Sequence, residues 1–135
     1  MSIYRHMQCP ICSSKLKTVN SRKTNGGAST WRRRHCPACN ITLTSREVLD
    51  LSSVIKIGNQ AYSRLKLTTE LAQVASKSSQ DDISRAVDTI ESRLLKLTRH
   101  NHAITQEIYT QEILSVLKKL DQPSYLRYLA KLEDS

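Results

Sequence analysis

The fold of the first third of this chain depends on residues 9–39, which read CPICSSKLKTVNSRKTNGGASTWRRRHCPAC. A Cys-Pro-x-Cys motif stands at each end of this stretch, and 23 residues separate the two motifs. Zinc prefers four soft ligands in a tetrahedron, and Cys-x-x-Cys spacing lets both thiolates of a pair face one metal ion. The sequence therefore predicts a structural zinc (Zn) site, with no open coordination position for catalysis, formed by Cys9, Cys12, Cys36 and Cys39.

The same cysteines could instead form two disulfides, or remain as buried thiols or a redox pair. The first ten residues contain no apolar run of signal-peptide length, so nothing in them indicates secretion. In a cytosolic chain, paired Cys-x-x-Cys motifs favour metal binding over disulfides. Free thiols would not explain two matching motifs that each carry a proline after the first cysteine. We therefore expect a cytoplasmic zinc protein.

Charge is distributed very unevenly along the chain. The formal net charge is +9, and residues 1–46 contain nine Lys or Arg but no Asp or Glu. Residues 47–135 contain twelve basic and twelve acidic residues, so they are electrically balanced. A metal-stabilised basic module followed by a neutral one is typical of a nucleic-acid reader joined to a regulatory part. We predict two domains, a DNA-binding zinc ribbon at 1–46 and a second domain at 47–135.

The basic module contains the run WRRRH at 31–35, which we expect on a β-strand. Alternate side chains of a strand point to opposite faces, so at least one arginine faces outward in either register. The NGG sequence at 25–27 predicts a hairpin turn that brings a second basic pair beside this run. Arginine binds phosphates and guanine edges, and tryptophan can stack on a base. A solvated basic strand is the alternative, but no nearby acid balances the charge. The predicted DNA-binding residues are Arg22, Lys23, Trp31, Arg32, Arg33 and Arg34.

The periodicity of apolar residues predicts an α+β protein. Short strands at 15–22, 30–35 and 41–44 would complete the zinc ribbon. A hairpin at 54–62 with its turn at Gly58-Asn59 would open the second domain. Three or four helices would follow: one over 65–76, one that begins after 78–81, one capped by Thr105 and one that begins near Pro123.

No motif of an enzyme is present. The chain lacks a phosphate-binding P-loop, a dinucleotide fingerprint and a catalytic Ser/His/Asp or Cys/His set. His100 and His102 have no metal-ligand spacing and are interpreted as loop histidines. Lys56 and Lys66 could reach phosphates near a helix N-terminus, although such lysines are usually only surface residues. No apolar run approaches the ~18 residues of a membrane span, so we expect neither an enzyme nor a membrane protein.

Together these motifs resemble the NrdR family of bacterial transcriptional repressors, in which a zinc ribbon precedes an ATP-cone domain. In the ribbon the resemblance rests on VNSR at 19–22, WRRRHCPAC at 31–39 and LTSRE at 43–47. In the second domain it rests on VIK at 54–56, AYSRLK at 61–66 and LDQPSYLRY at 120–128. The motifs occur in the family's order and span nearly the whole chain. They are specific in the ribbon and looser in the cone.

The resemblance implies a non-enzymatic, nucleoid-associated repressor of ribonucleotide reductase genes. It implies a homo-oligomer that binds paired boxes in double-stranded operator DNA. ATP or dATP bound to the cone would change the oligomer and hence the affinity for DNA. Carried over by position, the implied nucleotide-binding residues are Glu47, Val54, Lys56, Lys66 and Tyr125.

Several positions depart from the family's pattern. Ile57 stands where the family has Arg or Lys, and Gly58-Asn59 inverts its Asp/Asn-Gly turn. Trp31 replaces an arginine, and Leu43 and Tyr62 replace phenylalanines. These departures predict weaker nucleotide control and leave three alternatives: a phage-type zinc-binding activator without nucleotide sensing, a zinc-ribbon RNA-binding protein, and an enzyme subunit that uses the cone for allostery.

Overall fold

The computed structural model of the protein describes residues 7–24 and 29–134. The chain divides into two compact units, Met1–Leu49 and Asp50–Ser135. This division falls slightly after the predicted boundary at residue 46, because the last strand of the first unit continues to Val48. A zinc-binding cysteine cluster, small antiparallel sheets and four helices confirm the predicted α+β class.

The first unit is built on a three-stranded antiparallel sheet. Its strands are β1 (Lys17–Thr24), β2 (Ser29–Cys36) and β3 (Ile41–Val48), and β2 lies in the middle. Strand β3 is twice as long as predicted, because it pairs with β2 along its whole length. A bulge interrupts β1 between Thr18 and Asn20. The hairpin turn predicted at 25–27 lies outside the described residues.

Few apolar side chains stabilise the first unit. Cys9, Leu16 and Cys36 are buried, and three partly buried side chains pack against them: Cys39, Ile41 and Leu43. Half of this cluster is cysteine. A module of this size cannot be held by such a small apolar core alone, so its stability depends on a metal cross-link.

The second unit begins with a turn and a very short hairpin. The strand predicted to begin at residue 54 begins at Lys56 instead. Val54 lies in a turn, where its amide donates a hydrogen bond to the Leu51 carbonyl at 3.1 Å. The hairpin strands are β4 (Lys56–Ile57) and β5 (Gln60–Ala61). Gly58 has a φ of +61° at the turn between them, a conformation that glycine adopts without steric cost.

Four helices follow, each with a side chain that caps its N-terminus. They are α1 (Arg64–Val74), α2 (Gln80–Arg99), α3 (Gln106–Leu120) and α4 (Gln122–Glu133). The predicted cap at Thr105 is confirmed, since its hydroxyl accepts a hydrogen bond from the Ile108 amide at 3.2 Å. Pro123 lies in the first turn of α4, as predicted. Among the described residues, no helix is both long and apolar enough to cross a membrane.

The core of the second unit is aliphatic. On α2, Ile83, Val87, Ile90 and Leu94 recur at helical spacing and are all buried, and they pack with side chains of the other helices. Each fully buried aliphatic side chain stabilises the fold by about 1.5–3 kcal/mol relative to an exposed one. The second unit therefore has a core of its own, separate from the cysteine cluster.

A buried polar network lies beside this core. The Tyr62 hydroxyl donates to Glu91 Oε2 at 2.7 Å, and Arg64 Nη1 binds Glu91 Oε1 at 2.7 Å. Arg64 also forms an ion pair with Asp88 Oδ1, at 2.9 Å. Burial raises the pKa of Glu91, while the Tyr62 hydroxyl and the Arg64 guanidinium oppose that shift. The network joins Tyr62, just after the hairpin, and Arg64, the first residue of α1, to the middle of α2.

Candidate zinc centre and nucleic-acid interface

The four cysteine sulfurs form a compact cluster in which all ligand atoms lie within 4.8 Å of one another. Cys9 Sγ is 3.9 Å from Cys39 Sγ, and Cys12 Sγ is 3.5 Å from Cys36 Sγ. Zinc–sulfur bonds of about 2.3 Å in a tetrahedron place sulfurs about 3.8 Å apart. The observed distances and the all-thiolate ligand set therefore fit a closed structural zinc site.

Both cysteine motifs end in the same kind of turn. The Ser13 amide donates to the Cys9 carbonyl at 2.8 Å, and the Asn40 amide donates to the Cys36 carbonyl at 2.8 Å. Ser13 and Asn40 have φ angles of 67° and 59°, in the left-handed region. This shared geometry turns the chain back after each motif. The two sulfurs of each motif thereby lie close to those of the other motif.

The electrostatics of the cluster are consistent with a bound cation. Hydrogen bonds with Ser14 lower the pKa of the Cys12 thiol to about 6. The neighbouring Cys12 raises the pKa of Cys39 to about 12. Thiols this close cannot all ionise without a positive charge between them. A divalent metal ion held by these cysteines would supply that charge and keep all four as thiolates.

The sheet of the first unit has two chemically different faces. Direct cross-strand partners share a face, and Trp31 in the central strand lies between Arg22 on β1 and Arg46 on β3. Arg33 lies between Asn20 and Thr44. We call this surface the open face; its described residues are Lys17, Asn20, Arg22, Ser29, Trp31, Arg33, His35, Thr42, Thr44, Arg46 and Val48. It carries four Lys or Arg side chains and, among these residues, no acidic one.

The opposite face bears Cys36, Ile41 and Leu43, which pack with the cysteine motifs, and we call it the knuckle face. Arg32 and Arg34 lie on this face, so the arginine run is divided between the two surfaces. Arg34 binds the Ser45 hydroxyl at 2.7 Å and the Thr18 hydroxyl at 3.4 Å.

Arg32 forms an ion pair with Glu47, at 3.6 Å. Lys23 is the partner of Thr30 and also lies on the knuckle face. Of the six predicted DNA-binding residues, the structure therefore brings together Arg22, Trp31 and Arg33 on the open face. It places the other three, Lys23, Arg32 and Arg34, on the knuckle face.

Arg46 and Lys17 were not predicted to belong to the interface. Arg46 was missed because the third strand was expected to end at residue 44. Residues 45–47 are all polar, so the alternation of apolar and polar side chains stops at Thr44 and the sequence carries no signal for the longer strand. Lys17 joins the open face only because the bulge at 18–20 shifts the register of β1, which no sequence pattern indicates.

The residues implied in nucleotide binding occupy several places. Glu47 lies on β3 of the first unit. Val54 and Lys56 line one cleft of about 380 Å³ in the second unit. Lys66 is exposed in the first turn of α1, and Tyr125 is half-buried on α4. Of the implied nucleotide-binding residues, only Val54 and Lys56 are among those lining this cleft.

Comparisons with known proteins find one family. Residues 7–47 match the family described as "Transcriptional repressor NrdR-like, N-terminal domain". The transcriptional repressor NrdR of Alkaliphilus oremlandii is 33% identical over 132 residues, which cover 90% of this chain and 82% of that protein. The NrdR of Aromatoleum aromaticum is 30% identical, with 90% and 74% covered. The NrdR of Geobacter sulfurreducens is also 30% identical, with 90% and 85% covered.

Proposed function

Because the chain belongs to the NrdR family of transcriptional repressors, we propose that it represses ribonucleotide reductase genes by binding their operators through the open face. The resemblance predicted from the motifs is confirmed. The chain is a zinc-dependent transcriptional regulator. We assign it a regulatory rather than an enzymatic role, and place it on the nucleoid in the bacterial cytoplasm.

The observation that best supports the proposed DNA interface is the composition of the open face. Lys17, Arg22, Arg33 and Arg46 surround Trp31 on one side of a single sheet. Cations of this kind neutralise phosphates and release counterions, which supplies affinity without sequence information. Arg33 and Trp31 occupy the central strand, where a side chain can reach base edges while the flanking strands contact the backbone.

We propose that the knuckle face serves structure rather than DNA contact. Arg32 and Arg34 form bonds with Glu47, Ser45 and Thr18 within the ribbon. To contact phosphates, these arginines would have to exchange existing partners. The loss of either one should therefore affect the stability of the ribbon more than its affinity for DNA.

We further propose that the second unit assembles the protein into a homo-oligomer. A single small ribbon offers too little surface for a specific operator, whereas symmetric copies can read paired half-sites. Residues 47–135 carry equal numbers of acidic and basic residues, so net charge repulsion does not oppose their association.

We also propose that nucleotides control the affinity of the protein for DNA. ATP or dATP would bind the second unit, with Val54 and Lys56 in the cleft they line. Glu47, Lys66 and Tyr125 remain candidate contacts from the family resemblance. Ile57 is half-buried against the core and cannot supply a charged hydrogen bond, which supports a weaker response than the family's pattern implies.

Gel-shift titration tests the DNA proposal directly. Duplex DNA from a ribonucleotide reductase promoter of the same genome is titrated with the full-length zinc protein, against RNA of equal sequence and against an unrelated duplex. The expected result is preference for the promoter duplex, with affinity that falls steeply as salt rises. Equal or stronger binding to RNA would contradict the proposal and favour an RNA-binding function.

A further inference from the structure

The four cysteines of the zinc site differ in how well the ribbon protects them. Cys9 and Cys36 are buried and Cys39 is half-buried, whereas Cys12 is exposed. The apolar cluster of the ribbon includes the other three cysteines but not Cys12. Oxidation of a cysteine depends on how readily a reagent reaches its thiolate. A small oxidant in solution therefore meets the Cys12 sulfur before the other three.

The chain around Cys12 leaves its sulfur open to solvent. Pro10, Ile11 and Ser13 are all exposed. Cys39, the matching residue of the second motif, packs instead against the buried cluster, together with side chains of β3. The two motifs share the same Cys-Pro-x-Cys pattern, so the difference in exposure comes from what packs on each motif.

A second sulfur lies within reach of the exposed one. Cys12 Sγ is 3.5 Å from Cys36 Sγ, which belongs to the other motif. The Cys39 amide donates a hydrogen bond to Cys36 Sγ at 3.3 Å, and this bond fixes the position of that sulfur. A disulfide has an S–S bond of about 2.05 Å, so the sulfurs need to approach by only about 1.5 Å. The exposed Cys12 side chain can make that movement.

We infer that Cys12 is an oxidation site for peroxides, and that Cys36 completes the reaction by forming a disulfide with it. The Cys12 thiolate attacks one oxygen of hydrogen peroxide, the O–O bond breaks and hydroxide leaves, which makes Cys12 a sulfenic acid. The Cys36 thiolate then attacks the Cys12 sulfur, the S–O bond breaks and a second hydroxide leaves. The two sulfurs together lose two electrons, and these electrons reduce both oxygens of the peroxide.

The disulfide removes one zinc ligand from each motif. Cys9 and Cys39 alone do not make a four-coordinate structural site, and half of the ribbon's apolar cluster is cysteine. Oxidation therefore releases zinc and loosens the ribbon, and reduction by a thiol restores all four ligands. The consequence for transcription rests on the proposed function, because loss of the folded open face would release the operator.

The test treats the full-length zinc protein with hydrogen peroxide and follows zinc release with a chromogenic chelator. Trypsin cleaves between the motifs, after Lys15 and Arg34, so mass spectrometry of alkylated peptides distinguishes a disulfide between the motifs from one within a motif. Zinc release should coincide with a Cys12–Cys36 disulfide. Both should precede oxidation of Met7, a reference side chain that is 49% exposed. Added thiol should allow zinc to bind again.

Cys12→His and Cys39→His are matched variants, because each keeps a zinc ligand at the second position of its motif but removes one sulfur. Cys12→His should release zinc about tenfold more slowly than the unchanged protein, since the exposed thiolate is gone. Cys39→His should release zinc as fast as the unchanged protein, since Cys12 and Cys36 remain. Metal analysis verifies that each variant binds zinc. Where a variant does not, the first cysteine oxidised in the unchanged protein decides the question.

Several outcomes would overturn the inference. They are a disulfide within either motif, first oxidation at a cysteine other than Cys12, oxidation of Met7 before any cysteine, and equal rates of zinc release from Cys12→His and the unchanged protein. Gel shifts of the oxidised protein measure DNA binding separately. Oxidised, zinc-free protein that binds DNA as tightly as before would contradict the proposed DNA face and leave the oxidation of Cys12 standing.

Discussion

Arg22 and Trp31 are direct cross-strand partners, and the guanidinium carbon of Arg22 lies 6.0 Å from the centroid of the indole ring. A cation–π contact of this kind contributes about 0.5–1 kcal/mol at an exposed site. The contact holds a planar aromatic group in the middle of the cationic open face. On the face that we propose for DNA, this contact restricts the indole before binding and so would reduce the entropy lost when DNA binds.

Arg33→Ala should weaken DNA binding and reduce the slope of log affinity against log salt by about one unit, because one phosphate contact is lost. Arg34→Ala is the matched control, since Arg34 is the next residue of the same strand but lies on the knuckle face. Its salt slope should stay unchanged. Gel shifts at several salt concentrations measure both. A larger change in slope for Arg34→Ala would place the DNA on the knuckle face.

Trp31→Ala should reduce discrimination between operator and unrelated duplex more than it reduces affinity for the unrelated duplex. The reason is that charges bind any phosphate backbone, whereas an aromatic group on the central strand can contact base edges in a groove. Competition assays give the ratio of the two affinities. An equal loss for both duplexes would mean that Trp31 supports only the shape of the face.

Removal of zinc should unfold the ribbon and leave the helices of the second unit folded. The apolar cluster of the ribbon is small, and metal-coupled folding is worth on the order of 10 kcal/mol in small zinc peptides. Cys36→Ser should have the same effect. Circular dichroism should retain the helical signal after chelation, while amide NMR signals of the ribbon collapse. Metal content below about half an equivalent in protein purified without chelator would contradict a structural site.

Tyr62→Phe should destabilise the second unit by about 1–3 kcal/mol, because the buried Glu91 carboxylate loses a hydrogen-bond donor. Tyr109→Phe is the control, since its ring packs edge-on against Tyr62 with centroids 6.4 Å apart. It should change stability by no more than about 0.5 kcal/mol. Chemical denaturation followed by circular dichroism measures both variants. Equal effects would mean that the hydroxyl bonded to Glu91 contributes little.

The full-length protein should be a dimer or larger assembly, and ATP or dATP should shift its size only weakly. Association follows from the need to read paired half-sites, and the weak response follows from Ile57. Light scattering over a range of protein concentrations, with and without nucleotide, measures both. A monomer at every concentration would contradict the assembly. Micromolar nucleotide binding that switches the oligomer would show that Ile57 does not impair the sensor.

Local chemistry was enough to predict several parts of this protein. The spacing of the cysteines predicted their cluster, because the short turn of each Cys-x-x-Cys motif brings two thiolates to one metal ion. Thr105 and Pro123 marked helix starts, because capping and the fixed φ of proline act within one turn. The family followed from motifs in the correct order. Each of these features depends on residues that are close in sequence or on a pattern along it.

Tertiary structure alone decided which residues share a surface. The arginine run at 32–34 is expected to alternate between two faces of a strand, but the sequence does not show which arginines face outward. That choice follows from the packing of Cys36, Ile41 and Leu43 on one side of the sheet, since burial of one face sets the register. Lys56 and His102 come from distant parts of the sequence and line one cleft because the hairpin bonds to the loop at Ile104. Contacts of this kind depend on how the helices and strands pack, which local sequence patterns do not predict.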